Sequence, residues 1–96
     1  MVELTPVNYR KEVELSRDPV LICIHDSHSK PPEGLEQLCG SEVKCCGLDA
    51  GRYEEMAKSL RVIGLPSAIL LEEGAIVQRI RGERSLTDYA KILELG

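Results

Sequence analysis

The chain has 96 residues, 43% of them hydrophobic, and carries a formal net charge of −4. That length holds one hydrophobic core, so residues 1–96 are expected to form a single domain, and the acidic balance excludes general nucleic-acid binding, which needs a basic face. No stretch is long and apolar enough to span a bilayer, and Met1-Val2-Glu3-Leu4 lacks the basic and apolar regions of a signal peptide, so the cytoplasm is the expected compartment.

Phe and Trp are absent and only three Tyr are present, so the core must be built from aliphatic side chains. Val2 to Leu4 reads as a short first strand, and Thr5-Pro6 supplies an N-cap with proline at the first helical position. Tyr9 and Val13, four apart, lie on one face of a helix expected to run to about Ser16. Val20-Leu21-Ile22-Cys23-Ile24 is a continuous apolar run, the pattern of a central strand covered on both faces. The polar loop from His25 to Pro32 leads into a brief helix, Glu33 to Cys39, which Gly40-Ser41 breaks. Glu42 to Leu48 is the next strand. Tyr53, Met56, Ala57 and Leu60 then follow i, i+3, i+4, i+7 spacing in an amphipathic helix over 51–61.

Arg61 to Gly74 organises the rest of the chain. A Gly64-Leu65-Pro66 turn opens a short apolar strand over 67–72, and Glu73-Gly74 turns it into an antiparallel partner over 75–81. Proline sits where its missing N–H does least harm to a sheet, and Gly-x-Pro at this place suggests a constrained, cis bond. Ser85-Leu86-Thr87-Asp88 resembles a capping box with Asp for Glu, opening a last helix whose apolar face is Leu86, Tyr89, Ala90 and Leu93. The order is β α β α β α β β α: a parallel βαβ front half, then a hairpin and a closing helix. Layer rules make this an α/β domain with a mixed sheet and helices on both faces.

Val62-Ile63-Gly64-Leu65-Pro66-Ser67, an apolar strand, Gly74, a second strand, Gly82 and a final helix resemble the second half of thioredoxin. Leu4-Thr5 and Pro19-Val20-Leu21-Ile22 extend the resemblance over essentially the whole chain, which implies a thioredoxin fold. In that family the proline matching Pro66 is cis and forms one wall of the active site. The family's Trp-Cys-Gly-Pro-Cys falls, without a gap, on His28-Ser29-Lys30-Pro31-Pro32, so Ser29 replaces the attacking cysteine and Pro32 the resolving one. Cys23 stands where many thioredoxins keep a buried acid, and the following helix is shorter than the family's. Disulfide exchange needs a thiolate, favoured at a helix N-terminus. A serine hydroxyl cannot form the mixed disulfide, and Pro31 and Pro32 remove two N–H donors. The dithiol mechanism is therefore lost.

What the resemblance leaves is a docking surface. In thioredoxins the residue before the cis-proline offers its backbone to an extended peptide, and Leu65 holds that place. The implied groove is floored by Leu65 and Pro66 and flanked by His28 and Pro31, and the implied role is a non-catalytic, chaperone-like module for a protein or peptide partner, as a monomer or weak dimer. The alternative is thiol–disulfide redox activity through displaced cysteines, Cys39 with Cys45 or Cys46. Cys23 and Cys46 read as small core residues, Cys45 points away from Cys46, and Cys39, beside Gly40-Ser41, is the expected exposed thiol. Ser29 is expected to cap the helix after it. His25-x-x-His28 with Cys39 or Cys45-Cys46 matches no standard zinc spacing, so neither metal nor other cofactor is expected. Arg79 and Arg81, with Arg84 near, form a basic stripe that either receives an acidic partner or, the favoured reading, guards an edge strand.

Overall fold

The computed structural model describes residues 1–95. The chain is an α/β domain built on a five-stranded mixed sheet of order β1-β3-β2-β4-β5. The strands are β1 (Val2–Glu3), β2 (Val20–His25), β3 (Lys44–Asp49), β4 (Ser67–Glu72) and β5 (Ala75–Arg81). The α-helices are α1 (Leu35–Cys39), α2 (Glu54–Ser59) and α3 (Leu86–Ile92). β1 and β2 both pair parallel with β3, whereas β4 runs antiparallel to β2 and to β5.

The apolar run that marks β2 as central does become the middle strand, buried from Val20 to Ile24. Its alternation divides the core in two. Val20, Ile22 and Ile24 join Cys46, Leu48, Ile69 and Leu71 in one cluster, to which Val13, Ala57 and Leu60 are added. Leu21 and Cys23 face the other way, into a cluster with Leu35, Cys39, Cys45, Ala68, Ile80 and Tyr89. Period-2 alternation along the strand is the whole cause of this partition.

The hairpin keeps its expected bounds. Glu73 and Gly74 both take positive φ, 51° and 81°, as a two-residue type I′ turn requires. Past the turn the register slips: Leu70 pairs with Gln78 but Leu71 with Ile76. Val77 is therefore the extra residue of a bulge, which bends the open edge of the sheet. At the opposite edge Gly47 lets β1 approach closely, since a Cβ there would stand 3.1 Å from the Met1 sulfur and 3.2 Å from the Glu3 carboxylate.

The helices depart more from expectation. Thr5 caps as predicted, its hydroxyl accepting from the Val7 and Asn8 N–H groups at 3.1 and 3.2 Å, while Asn8 Oδ1 accepts from the Thr5 N–H at 2.8 Å. The turn that follows is a π-helix over Arg10–Glu14, closed by a Leu15 N–H to Arg10 carbonyl bond of 2.9 Å. It still delivers Val13 to the core, and the Glu12 carbonyl accepts Lys44 Nζ at 3.1 Å. α1 starts at Leu35, after Gly34 in the left-handed region. β3 starts at Lys44 because the Glu42 and Val43 N–H groups turn back onto the Cys39 carbonyl at 3.1 and 3.3 Å. α2 is shorter than the periodic pattern because the Asp49 carboxylate collects the Gly51 and Arg52 N–H groups in a turn at 2.9 and 3.2 Å. At α3 the expected capping box is complete, with Ser85 Oγ accepting from the Asp88 N–H and Asp88 Oδ2 from the Ser85 N–H, both at 3.1 Å.

Candidate functional site

The loop after β2 is shaped by Asp26. Its Oδ1 accepts the N–H groups of His28 and Ser29 at 2.8 and 2.7 Å, and its own N–H reaches the Ser29 carbonyl at 3.0 Å. The hydrogen bond from His28, then that from Ser29, hold the Asp26 carboxyl below its ordinary range. Ser29 is thus consumed by this turn and does not cap α1, which begins six residues later behind Gly34. Without a helix N-terminus at its hydroxyl, Ser29 has no activating field. His28 is exposed in the loop, and His25 ends β2 with its carbonyl accepting from the Ala50 N–H at 2.8 Å. Among the described residues no three His, Cys, Asp or Glu side chains converge to hold a metal ion.

Three loops at one end of the sheet enclose a cleft of about 260 Å³. Lys30, Pro31 and Pro32 form one wall, and Gly82, Glu83 and Arg84 the other. Pro66 and Tyr89 close it between them. The Leu65–Pro66 bond is cis, and the Pro66 carbonyl accepts the Gly82 N–H at 2.9 Å, tying the start of β4 to the end of β5. Of the predicted groove residues, then, Pro31 and Pro66 come together. His28 and Leu65 do not line the cleft: the Leu65 side chain packs against the core cluster that holds Ile22 and Ile24. Its backbone is another matter. Among the described residues neither the N–H nor the carbonyl of Leu65 has a hydrogen-bond partner.

Sequence reasoning missed Lys30, Gly82, Arg84 and Tyr89. Tyr89 was expected only as part of the apolar face of α3, and it is indeed 4% exposed. Burial first, then the nearby Cys23 thiol, pushes its phenol up to about 12, so it stays protonated. Proline next to proline in the loop and glycine after a strand were the available signals, but nothing local says that these two turns meet.

The cysteines are free and buried, including Cys39 at 1% exposure, which overturns its reading as an exposed thiol. Leu35 and Cys39, one turn apart on α1, both face the sheet. Cys39, Cys45 and Cys23 lie together in one core cluster, while Cys46 lies in the opposite one. A Cys39–Cys46 pairing is therefore out of reach in this fold. The Cys45 thiol, then burial, pushes the Cys39 thiol far up. Cys45 is pushed up to about 12, first by Cys23, and Cys46 to about 11 by burial. Upward shifts of this kind lower the thiolate fraction at neutral pH.

Arg79 and Arg81 do lie on the edge strand, but Arg79 has a structural duty as well. Its Nη1 donates to the Leu60 carbonyl at 2.8 Å and the Arg61 carbonyl at 3.5 Å, where α2 ends and its dipole favours a cation. No protein-family model matches the chain, and no curated protein matches it.

Proposed function

We propose that this chain is a thioredoxin-like domain, its sheet covered by helices on both faces, that has lost dithiol exchange and binds an extended protein or peptide segment beside Pro66. The observation that carries this reading is the convergence of Pro31, Pro32 and Pro66 around a cleft next to an unpaired Leu65 backbone. Prolines give an apolar wall that loses little entropy on binding, and a free N–H and carbonyl can take one rung of a β-ladder from a docked strand. The element order supports the thioredoxin-like assignment. Four reduced thiols fit a reducing compartment such as the cytoplasm.

The redox alternative has one observation in its favour, the placing of Cys39 and Cys45 in one core cluster. Against it stand their burial and upward-shifted thiols, which leave almost no thiolate to attack a disulfide. Titration with a chromogenic disulfide reagent separates the two: binding-module thiols react only in denaturant, whereas redox thiols react quickly in the native protein.

Docking is tested by adding hexapeptide mixtures to the isotopically labelled chain and following its amide resonances. The expected shifts centre on Leu65, Ser67, Ser29 and Gly82, and Leu65→Pro, which removes the N–H donor, abolishes them while leaving β2 and β3 resonances in place. Shifts scattered over the surface, or none, would sink the proposal.

A further inference from the structure

The cleft has a chemical bias that the docking reading alone does not specify. Lys30 on one wall and Arg84 on the other both face it, and among the described residues neither forms an ion pair. This holds in a chain with sixteen acidic residues against twelve basic ones. Glu83 also lines the cleft, yet its carboxylate is not within ion-pair distance of either cation. The Arg84 guanidinium is partly positioned, because its Nε donates to the Arg81 carbonyl at 3.2 Å and its two outer nitrogens remain for a ligand.

Tyr89 supplies an independent observation. Among the described residues its hydroxyl has no hydrogen-bond partner, and yet no fully buried side-chain oxygen or nitrogen lacks one. Tyr89 as a residue is 4% exposed. That exposed part lies on a residue that lines this cleft, with Arg84 among the charges that act on its phenol. A phenol that stays neutral is a hydrogen-bond donor, and beside two cations it calls for an acceptor that carries negative charge.

Resting on the docking reading, we propose that the segment taken by this cleft is an acidic peptide, with an Asp or Glu carboxylate held between Lys30 and Arg84 and accepting from the Tyr89 hydroxyl, and with apolar neighbours against Pro31, Pro32 and Pro66. Prolines select against a strongly hydrated ligand as a whole, so the charge must come on a chain that also presents apolar surface. A carboxylate on an extended peptide meets both demands. A free small anion meets only the first.

The test uses the full chain and three hexapeptide mixtures, degenerate except for a fixed central Asp, Asn or Lys, with sodium acetate as the small-anion control. The expected result is that the Asp mixture shifts the amides of Lys30, Gly82, Arg84 and Tyr89 at about tenfold lower concentration than the Asn mixture. That preference falls in high salt, as screening of exposed charges requires. Arg84→Gln and Lys30→Gln, both at exposed positions, each reduce the Asp preference while the Asn response persists. Tyr89→Phe, which keeps the packing and removes only the hydroxyl, weakens the Asp mixture more than the Asn mixture. Equal responses to Asp and Asn overturn the acidic inference and leave docking intact. Acetate reproducing the same shifts overturns the peptide in favour of a small anion. Silence of every mixture at these amides overturns both proposals.

Discussion

The two sides of the central sheet have been filled in different ways. One holds Val20, Ile22, Ile24, Leu48, Ile69 and Leu71, with Cys46 as its lone thiol. The other holds three thiols, Cys23, Cys39 and Cys45, with Ala68, Leu21, Ile80 and a single large aromatic ring, Tyr89. Branched aliphatic chains fill space in fixed rotamers, so the first side supplies hydrophobic burial of about 1.5–3 kcal/mol per large residue. The second side trades volume for small polarisable groups, and it is the side whose Tyr89 reaches the cleft. Leu35 and Val43 complete the second face, and the candidate site hangs from it.

Alkaline pH should expose that difference most strongly. Cys39, Cys45 and Tyr89 on the thiol side, and Cys46 with the half-buried Tyr9 on the aliphatic side, have native values raised above their ordinary ones of 9.0 for the thiols and 10.0 for the phenols. Once the pH passes 9 the unfolded chain releases thiol protons that the folded chain retains. The stability these groups contribute is therefore complete below that pH and is lost as pH climbs toward the native values of about 11 to 12. The slope is about 1.4 kcal/mol per pH unit for each group in its window. Urea midpoints measured from pH 8 to 11 should fall steeply. The Cys39→Ala/Cys45→Ala chain should show a shallower fall, and Cys46→Ala should remove less of the slope than that pair does. Equal flattening by both would erase the asymmetry between the faces.

Truncation tests the same contrast at neutral pH. Ile22→Ala removes a fully buried side chain from the aliphatic face and should cost about 2–5 kcal/mol in denaturant unfolding. Its neighbour on the other face, Cys23→Ala, removes only a sulfur and should cost about 1 kcal/mol. A loss at Cys23 as large as that at Ile22 would mean that the thiol side carries as much of the fold as the aliphatic side.

Two smaller effects mark how each side holds its helices. Ser85→Ala opens the capping box of α3, which carries Tyr89, and should lower stability by about 1 kcal/mol while weakening peptide response at Tyr89. Arg79→Met keeps the stem but removes the donor to the Leu60 carbonyl at the end of α2, and about 0.5 kcal/mol should go with it. Thermal denaturation of the two variants side by side would rank them.

The sequence by itself determined the strand that everything is laid upon, because five apolar residues in a row can be buried on both faces only in the middle of a sheet. It determined the β4–β5 hairpin through Glu73-Gly74 and the start of α3 through Ser85 and Asp88, since turn and cap chemistry act over three or four residues. Pro31 and Pro66, which line the cleft, were also within reach of sequence reading. What the tertiary structure decided involves groups far apart in the chain. The periodicity of Tyr9 and Val13 permits any wide helical turn, and residues 10–14 take the π form, with Lys44 on the Glu12 carbonyl. Cys39 looked exposed beside Gly40 and Ser41, but the turn-back of Val43 onto its carbonyl seals it inside. Tyr89 reads from sequence as core alone. Only the meeting of the loops at Pro31, Pro66 and Gly82 puts it at the edge of a cleft, and closure of loops so distant in sequence leaves no local pattern in any of them.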